Sequence, residues 1–598
     1  MHRHPLEPRR PVAPALASGA LIGLCIGALA LYQLFVLHPV AGWWAERDGG
    51  FSADLAWLTQ AATDAARTTA PRDLLGLLSW PERIAGALER WFGGFDLWPR
   101  LVLRAGTVAA AALCAGALGG VSVYRASEPR DRARHLEGQR RLWTGRGALR
   151  ELRRLLRPEL KASGSRLRIA PGLRWPIQRE LQHTGLFGMT GSGKTMILRG
   201  IIEQLLARQE RMIVLDAKGD MTSGLPGEFL LLAPQDARSY IWQLGRDIRT
   251  EADARELAAR VVPESHDPLW STGGRELLVG VAKSLMRDCG TDWSWDDLLA
   301  RIVEEPVSLK DRLELAHPPA AAMLALHEDG QPTRTTHSLW LTFFVAAQAT
   351  LSPLAQAWGR HAEGPRMGLR EWIDGADDLP RTMVLQRSAA LATLSEAWMG
   401  LAIALMAARV VDPRYAPSDT PQITWCIDEC PVLGKVKELE TLLAVGRSQG
   451  QSVTLAAQDL EQLAQLYGEP GTKAILNNLG TKIIARQPSG PSAERVVREL
   501  VGKRRVTWRS VSVGEARGFE RRPRNTHFEH AEIDLVSPRF VEAELGLKHS
   551  FGRPVIRAML LGLGDAFLLR WPIRAWPKRR PAHVPAQWLQ EGGAGGSV

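Results

Sequence analysis

The sequence contains only five cysteines among 598 residues, and their spacing follows no pattern. Cys426 and Cys430 flank an acidic pair, but no second pair of cysteine or histidine residues lies nearby, which excludes the spacing of a zinc site. Cysteines this few and scattered also exclude a disulfide framework, so we expect the bulk of the protein to occupy a reducing compartment.

Acidic residues are outnumbered, with 64 Asp and Glu against 75 Lys and Arg. The net charge is +11 and the pI is about 9.7, a balance that favours an anionic partner, either nucleic acid or a lipid surface. The alternative is that much of this charge marks the cytoplasmic flank of a membrane anchor.

Two long runs lack charged residues altogether, 15–37 and 105–124, and each is long enough to cross a bilayer as a helix. Arginines precede the first run and crowd after the second, whereas those in the loop between are sparser and mixed with acids. The positive-inside rule therefore predicts that both termini are cytoplasmic. A cleaved signal peptide is the alternative for the first run, but its apolar core is typically shorter.

Glycines recur every four residues in both runs, at Gly19, Gly23 and Gly27 and at Gly116 and Gly120. Small residues at this spacing let two helices approach closely in lipid. Glycine is also simply frequent in membrane helices, so the pattern alone leaves both explanations open.

A glycine-rich segment that follows Leu186-Phe187 matches Gly-x-x-x-x-Gly-Lys-Thr in full. This pattern predicts a strand, a loop whose N–H groups cradle the phosphates of ATP, and a helix. Its lysine reaches the β- and γ-phosphates, and its threonine ligates Mg²⁺. The predicted nucleotide-binding residues are Gly188, Met189, Thr190, Gly191, Ser192, Gly193, Lys194 and Thr195.

From about residue 160 onward, short apolar runs alternate with helical patterns, which predicts an α/β fold with helices wound around a sheet. The pattern between 253 and 364 is largely helical and predicts an all-α insertion. The Gly-rich tail 591–598 is expected to be disordered. The predicted strands are 184–187, 212–215, 229–232, 382–385, 423–427, 452–455 and 482–485.

The apolar run 423–427 ends in Asp428-Glu429, at the carboxyl end of a predicted strand, where ligands bind in open α/β sheets. Asp428 can hold Mg²⁺ through water, and Glu429 can orient the attacking water. An apolar strand ending in two acids is weak evidence alone, but it follows a complete phosphate loop here.

Two further residues are catalytic candidates. Arg447 lies in a predicted helix-to-strand turn, from which it can reach the γ-phosphate of a neighbouring subunit. Gln458 ends the next predicted strand, where it can sense the γ-phosphate or help place water. The alternatives are a solvated surface arginine and a polar residue at a helix N-terminus.

The ordered set of motifs resembles the TraD/TraG-type coupling proteins of conjugative type IV secretion, especially the TraD proteins of integrating conjugative elements. The set comprises the two spans, the basic stretch after them, the phosphate loop and the helical insertion. It also comprises the motifs Val214-Leu215-Asp216-Ala217-Lys218-Gly219-Asp220, Ile427-Asp428-Glu429, Gly446-Arg447-Ser448-Gln449-Gly450, Ala457-Gln458-Asp459-Leu460 and Leu476-Asn477-Asn478-Leu479-Gly480-Thr481-Lys482. The resemblance covers most of the chain.

This resemblance implies a RecA-like P-loop ATPase at the cell inner membrane, assembled as a homo-hexamer. It implies that the protein recruits a relaxase bound to single-stranded DNA and passes it to the components of a secretion channel. It also implies that Arg447 acts in trans, that Gln458 links the nucleotide state to the DNA-facing surface, and that Arg486 is a further nucleotide sensor. Asp216 and Lys218 match a family loop without an evident chemical role.

The predicted organisation combines the two spans with a nucleotide-binding domain that carries the all-α insertion. The segments are a cytoplasmic N-terminus 1–14, transmembrane helices 15–37 and 105–124 around a periplasmic loop 38–104, a basic juxtamembrane linker 125–160, a nucleotide-binding domain in two parts 161–252 and 365–590 around the insertion 253–364, and the tail 591–598.

Alternative functions share some of these features. A secretion-assembly ATPase or a chromosome-type DNA pump has the same core with a different anchor or C-terminal module, and a membrane docking scaffold can keep a vestigial nucleotide site. DNA contacts are predicted only from charge, in the arginine-rich stretch 125–157 and in a C-terminal cluster, 570–580, with interleaved tryptophans. Anionic lipid for the first and a solvated tail for the second are the alternatives.

Overall fold

The computed structural model describes residues 13–31, 98–126, 134–135, 140–264, 268–513, 524–550 and 552–594. The chain divides into two compact units, Met1–Arg134 and His135–Val598, which we treat separately. The predicted loop 38–104 lies outside the described residues up to residue 97.

The N-terminal unit contains two apolar helices, α1 (Ala13–Leu31) and α2 (Trp98–Ala126), packed against each other. A Cβ added to Gly19 would lie 2.7 Å from the Gly116 carbonyl oxygen, and one on Gly23 would lie 2.9 Å from the Ala112 carbonyl oxygen. The glycine spacing therefore serves close helix packing, which favours the first of its two explanations.

By length and composition alone, three described helices can cross a membrane, Ala105–Tyr124, Arg334–Trp358 and Ala392–Val411. The last two belong to the second unit, where Ala392–Val411 is largely buried. The apolar part of α1, Leu16–Ala30, is shorter, because residues 32–37 of the predicted first span lie outside the described residues.

The second unit, which we call the body, is built on strands whose residues are mostly apolar. In chain order the strands are β1 Leu142–Trp143, β2 Ser165–Ala170, β3 Leu173–Pro176, β4 Thr184–Phe187, β5 Arg211–Asp216, β6 Leu230–Leu232, β7 Ile241–Trp242, β8 Arg366–Met367, β9 Thr382–Gln386, β10 Ser418–Ile427, β11 Gln449–Ala457, β12 Thr481–Ile484, β13 Lys503–Val513, β14 Arg524–Asp534, β15 Gly546–Ser550, β16 Arg553–Leu563 and β17 Asp565–Pro572.

Helices connect these strands and cover the sheet. In chain order they are α3 Gly145–Ser163, α4 Ile177–Glu180, α5 Lys194–Ala207, α6 Asp220–Gly224, α7 Glu251–Val261, α8 Pro268–Cys289, α9 Trp295–Val303, α10 Pro306–Ala316, α11 Pro318–Ala322, α12 Arg334–Trp358, α13 Leu369–Asp374, α14 Ala392–Val411, α15 Lys437–Val445, α16 Leu460–Asn478, α17 Pro491–Val496, α18 Pro538–Ala543 and α19 Gln587–Ala594.

One eleven-stranded sheet organises the body, in the order β1-β17-β16-β12-β4-β11-β10-β5-β9-β6, with β15 paired to β16. The seven strands from β12 to β6 run parallel, and they correspond to all seven predicted strands. Both faces of these strands are buried, which explains why they read as continuous apolar runs. The antiparallel addition of β15, β16 and β17 was not predicted.

The sheet separates two apolar layers. Alternate residues of β5 point to opposite sides, so Ile213 and Leu215 pack with the insertion and α14, whereas Met212 and Val214 pack with α3 and α5. β13 and β14 follow α17 in the chain and pair antiparallel in a sheet separate from the eleven-stranded one.

The helices α7 to α12 form the insertion, and β7 pairs with β8 at its base. Four fully buried indoles join it to the sheet layer: Trp242, Trp295, Trp358 and Trp398. The Trp358 ring centroid lies 5.8 Å from that of Trp242 and 5.4 Å from that of Trp398, both edge to face, a preferred aromatic geometry.

Within the stretch 125–160, which we expected to be a linker, residues 145–160 contribute to the core instead. Helix α3 begins at Gly145, and its residues Ala148, Leu152 and Leu156 are fully buried against the sheet. The dense arginines occupy the outer side of an amphipathic helix, so charge alone obscured its apolar stripe.

Residues 573–590, which we call the C-terminal strap, lie along the body rather than in solvent. The Trp576 indole donates to Glu203, which also pairs with Arg574, and the Trp588 indole donates to the Pro234 carbonyl. The guanidinium of Arg580 covers the Phe229 ring at 4.7 Å. The C-terminal cluster therefore belongs to a segment packed on the body rather than to a solvated tail, and α19 continues to Ala594. Residues 595–598 lie outside the described part.

We predict that Trp358→Ala destabilises the body by about 3–5 kcal/mol, because it leaves a cavity among fully packed indoles. Calorimetry of the full-length chain in detergent measures the fall in unfolding temperature. Trp340→Ala is the control, since Trp340 lies on the same helix but is only half-buried. Equal losses from the two substitutions would contradict the role of the indole cluster.

Candidate nucleotide-binding and catalytic site

The phosphate loop connects the carboxyl end of β4 to the first turn of α5, as predicted. Gly193 has φ 101°, and a Cβ there would lie 2.7 Å from Ile556, so both backbone conformation and space require glycine. The loop is anchored to its neighbours, because Gly188 N donates to the Ala457 carbonyl (3.2 Å) and Met189 N to the Arg486 carbonyl (2.8 Å).

Lys194 is buried inside this loop, with 7% of its surface exposed. Its amine donates to the Gly188 carbonyl oxygen, a contact within the loop itself. Burial lowers the pKa of Lys194, while the nearby Glu429 and Asp428 oppose the shift. A buried ammonium held only by carbonyl oxygens is poorly compensated, so the loop is suited to receive an anion such as a phosphate.

Asp428 lies directly beyond β10 and faces the start of α5. The Thr195 hydroxyl donates to its two carboxylate oxygens at 3.1 and 3.2 Å. Burial raises the pKa of Asp428 to about 6, against the opposing hydrogen bond from Thr195 and the charge of Lys194. A hydroxyl and a carboxylate in contact beside a phosphate loop fit Mg²⁺, which keeps several waters and takes few protein ligands.

Glu429, Gln458 and Thr190 form a hydrogen-bonded chain across the loop. The Gln458 amide donates to Glu429 Oε2 at 2.8 Å, and Gln458 Oε1 accepts from the Thr190 hydroxyl at 2.8 Å. Among the described residues, Glu429 Oε1 and the Ser192 hydroxyl are buried without a partner. These two orphaned groups fit a site whose remaining contacts belong to a bound ligand.

The structure thus brings together all the predicted nucleotide-binding residues with Asp428, Glu429 and Gln458. It does not bring Arg447 to the same site. Arg447 precedes β11 whereas Gln458 follows it, and nine residues of strand separate them by about 30 Å at roughly 3.3 Å per residue. Arg447 is exposed in the predicted turn, and its guanidinium makes no hydrogen bond or ion pair with the described residues.

The role of Asp216, left open by the sequence, is to fold the loop after β5. Its carboxylate accepts from the backbone N–H of Gly219 (2.8 Å) and Thr222 (2.6 Å), and from the Thr222 hydroxyl (2.7 Å). Lys218, exposed in this loop, lies close enough for its charge to lower the pKa of Lys194. An Asp at a strand end followed three residues later by Gly is the signal for such a turn.

Arg486 contacts the phosphate loop through its backbone carbonyl rather than through its side chain. Its Nε is buried without a partner among the described residues. Arg486 therefore lies beside the phosphate loop, as expected for a nucleotide sensor. That the contact is made by its backbone carbonyl could not be predicted from the sequence.

A cleft of about 500 Å³ lies at the opposite edge of the sheet, lined by Arg140, Lys473 and Lys482 among others. Two of these cations are accounted for by helix ends. Arg140 donates to the Val501 carbonyl at 2.6 Å, and Lys482 donates to the Leu479 carbonyl at 2.6 Å, where cations complement the dipole. These two cations therefore have a structural role, and two acids, Glu499 and Asp565, line the same cleft.

Comparison with known proteins gives one family model and several solved structures. The model described as "Type IV secretion-system coupling protein DNA-binding domain" matches residues 167–538. Coupling protein TraD of Escherichia coli (strain K12) is 25% identical over 363 residues, which cover 59% of this chain and 48% of TraD. The chain thus spans about half the length of this curated relative.

The plasmid coupling protein TrwB in complex with ADP and Mg²⁺ matches with a TM-score of 0.59 at 19% identity, over 76% of this chain and 98% of that one. TrwB in complex with the ATP analogue ADPNP matches with a TM-score of 0.57 at 20% identity, over the same shares. These likenesses confirm the predicted RecA-like α/β fold. Since the family model matches more than half of its residues, the chain belongs to the type IV secretion-system coupling protein family.

Proposed function

We propose that this chain is a cell inner membrane ATPase that drives relaxase-bound single-stranded DNA into a type IV secretion channel. The observation that carries the proposal is the convergence of Lys194, Thr195, Asp428 and Glu429 at one sheet edge, in a chain of the coupling protein family. A docking scaffold with a vestigial site needs none of these contacts.

The nucleotide is ATP with Mg²⁺. Support comes from the buried Lys194, whose hydrogen bonds go only to carbonyl oxygens of the loop, and from the contact between Thr195 and Asp428. TrwB, which has the same fold, has been solved with ADP and Mg²⁺ and with ADPNP. The loop backbone from Gly188 to Thr195 would hold the phosphates, Thr195 would ligate the metal, and Asp428 would bind it through water.

Glu429 is the residue we assign to water activation. One of its carboxylate oxygens is fixed by Gln458, which leaves Oε1 buried and free to accept a hydrogen bond from the attacking water. Gln458 also contacts Thr190 in the phosphate loop, so a change in the loop alters the position of Glu429. This contact gives the predicted sensing role of Gln458 a physical basis.

Arg447 acts in trans, in a homo-hexameric ring. Its distance from the site of its own chain and its lack of partners within the described chain support this role. An arginine supplied by a neighbour stabilises the charge that develops during phosphoryl transfer, and its arrival couples adjacent sites.

The remaining partners are proposed from the family and the charge. Single-stranded DNA is supported by the DNA-binding description of the matched family model and by the net charge of +11. The relaxase and the channel components follow from the coupling role. The two apolar helices of the N-terminal unit support a membrane anchor, with both termini in the cytoplasm by the positive-inside rule.

We predict that Glu429→Gln binds ATP with nearly unchanged affinity but loses turnover by about 10²–10⁴-fold, the usual contribution of a general base. The amide keeps the hydrogen-bonding shape but cannot take up a proton. Equilibrium binding of a fluorescent ATP analogue and steady-state phosphate release measure the two effects. Lys194→Ala, which is expected to lose binding itself, serves as the comparison. Turnover at the parental rate in Glu429→Gln would contradict the assignment.

For Arg447, we predict that Arg447→Ala subunits, which keep only residual turnover, regain ATPase activity when mixed with inactive Lys194→Ala subunits. In a mixed ring, the intact nucleotide site of an Arg447→Ala subunit can lie next to a Lys194→Ala subunit, which supplies an intact Arg447. The measurement is phosphate release across a series of mixing ratios. Absence of recovery at every ratio, with mixed rings demonstrated by differential tags, would contradict action in trans.

A further inference from the structure

His183 has an unusual backbone conformation and two buried hydrogen bonds. It stands immediately before β4, with φ 58°, a region that few residues other than glycine occupy. Its side chain is 1% exposed. Such a conformation in a buried non-glycine residue persists only where the surroundings hold it, and it therefore points to a specific role.

The imidazole bridges two segments that lie far from it in sequence. The backbone N–H of Val453, in β11, donates to Nδ1 at 3.1 Å. The proton of the ring is therefore on Nε2, which donates to the carbonyl oxygen of Leu443, in α15, at 3.1 Å. Burial, with a smaller contribution from the charge of Arg447, lowers the pKa of His183 to about 4, so the neutral ring persists at physiological pH.

The two bonds lie on either side of the turn that carries Arg447. Leu443 belongs to the last turn of α15, Arg447 follows in the turn Gly446–Ser448, and Val453 lies in the middle of β11. One ring thus fixes both ends of the segment from Leu443 to Val453, which has Arg447 near its centre. The backbone of His183 also accepts from Thr481 N at 3.2 Å, which ties the same point to β12.

The side chain of Arg447 cannot fix its own position, because it is exposed and has no partner within the described chain. Its direction depends on the backbone of the turn. That turn is closely packed, since a Cβ on Gly446 would lie 3.0 Å from Leu442 and 3.1 Å from Gln451. A rotation of α15 against β11 would therefore displace Arg447. The His183 ring opposes such a rotation because it bonds to both elements.

We propose that His183 is a positioning residue that holds the Arg447 turn in register with β4, the strand that leads into the phosphate loop. This inference rests on the proposed function, in which Arg447 completes a neighbouring subunit's site. In this arrangement β4 ends at the phosphate loop, which holds the nucleotide of its own subunit. The same strand begins directly after His183, which positions Arg447 toward the next subunit. His183 itself touches no nucleotide.

The test is a double-mutant cycle on the full-length chain in detergent, with kcat and KM for ATP measured for His183→Asn, Arg447→Ala and the double variant. Asparagine tolerates the left-handed backbone and keeps an acceptor for Val453 N, but it is too short to reach Leu443. We expect His183→Asn to lower kcat by about ten- to a hundredfold, as a small misplacement of a catalytic group does. KM should stay within about twofold, since the phosphate loop is untouched.

In the double variant, kcat should equal that of Arg447→Ala alone, because a misdirected arginine and an absent one are equivalent. His183→Gln should recover part of the activity, since its longer amide can donate to Leu443. Ser452→Ala is the structural control, because it removes a buried hydrogen bond to the Glu180 carbonyl at the same sheet edge. It should lower kcat by the same factor whether residue 447 is arginine or alanine.

Two failures can be told apart. If Arg447→Ala keeps full activity, the proposed arginine role fails, and the inference about His183 fails with it. The second failure arises if Arg447→Ala is impaired and His183→Asn lowers kcat in that background by the same factor as in the unchanged chain. His183 is then a structural residue, and only the inference about His183 is overturned. Should His183→Asn fail to fold, the same cycle with His183→Gln decides between these outcomes.

Discussion

Parallel pairing of β4, β11, β10 and β5 decides where the charged groups of the site lie. Thr184 pairs with Thr454 and Leu455 pairs with Ile427, so the loop after β4 and the acids after β10 emerge at one edge. A slip of one residue would send alternate side chains to the wrong face of a sheet that is buried on both sides. The apolar side chains of these strands therefore fix the relative positions of polar residues at their ends, the phosphate loop and the acids Asp428 and Glu429.

That geometry places opposite charges where water cannot reach them easily. Lys194 and Glu429 are both buried, and each keeps only part of its hydrogen-bonding capacity within the protein. Buried charges without full compensation are costly, and a ligand that carries charge of both signs, a metal and a triphosphate, relieves this cost. The same residues that weaken the free fold thus favour the occupied state. The two hydrogen bonds of Gln458 connect Thr190 in the loop to Glu429.

The sequence allowed prediction where local pattern and tertiary structure agree. All seven parallel strands were readable, because strands buried on both faces are continuous apolar runs, and the phosphate loop has its own motif. The arginine-rich α3 and the C-terminal strap were misread, since charge concealed the few side chains that fix them, such as the buried Leu152 and the half-buried Trp576. The bonds of His183 and the loop-folding role of Asp216 depend on residues brought together only by the fold, so no local pattern revealed them.

The central claim is that nucleotide held at this sheet edge powers the movement of DNA. The most direct measurement is ATP turnover by the purified full-length chain in detergent, with increasing single-stranded DNA, beside Lys194→Ala. The account predicts turnover that rises with DNA and is absent in the variant. A wild-type chain that cannot bind nucleotide, or whose turnover is the same at every DNA concentration, would contradict it.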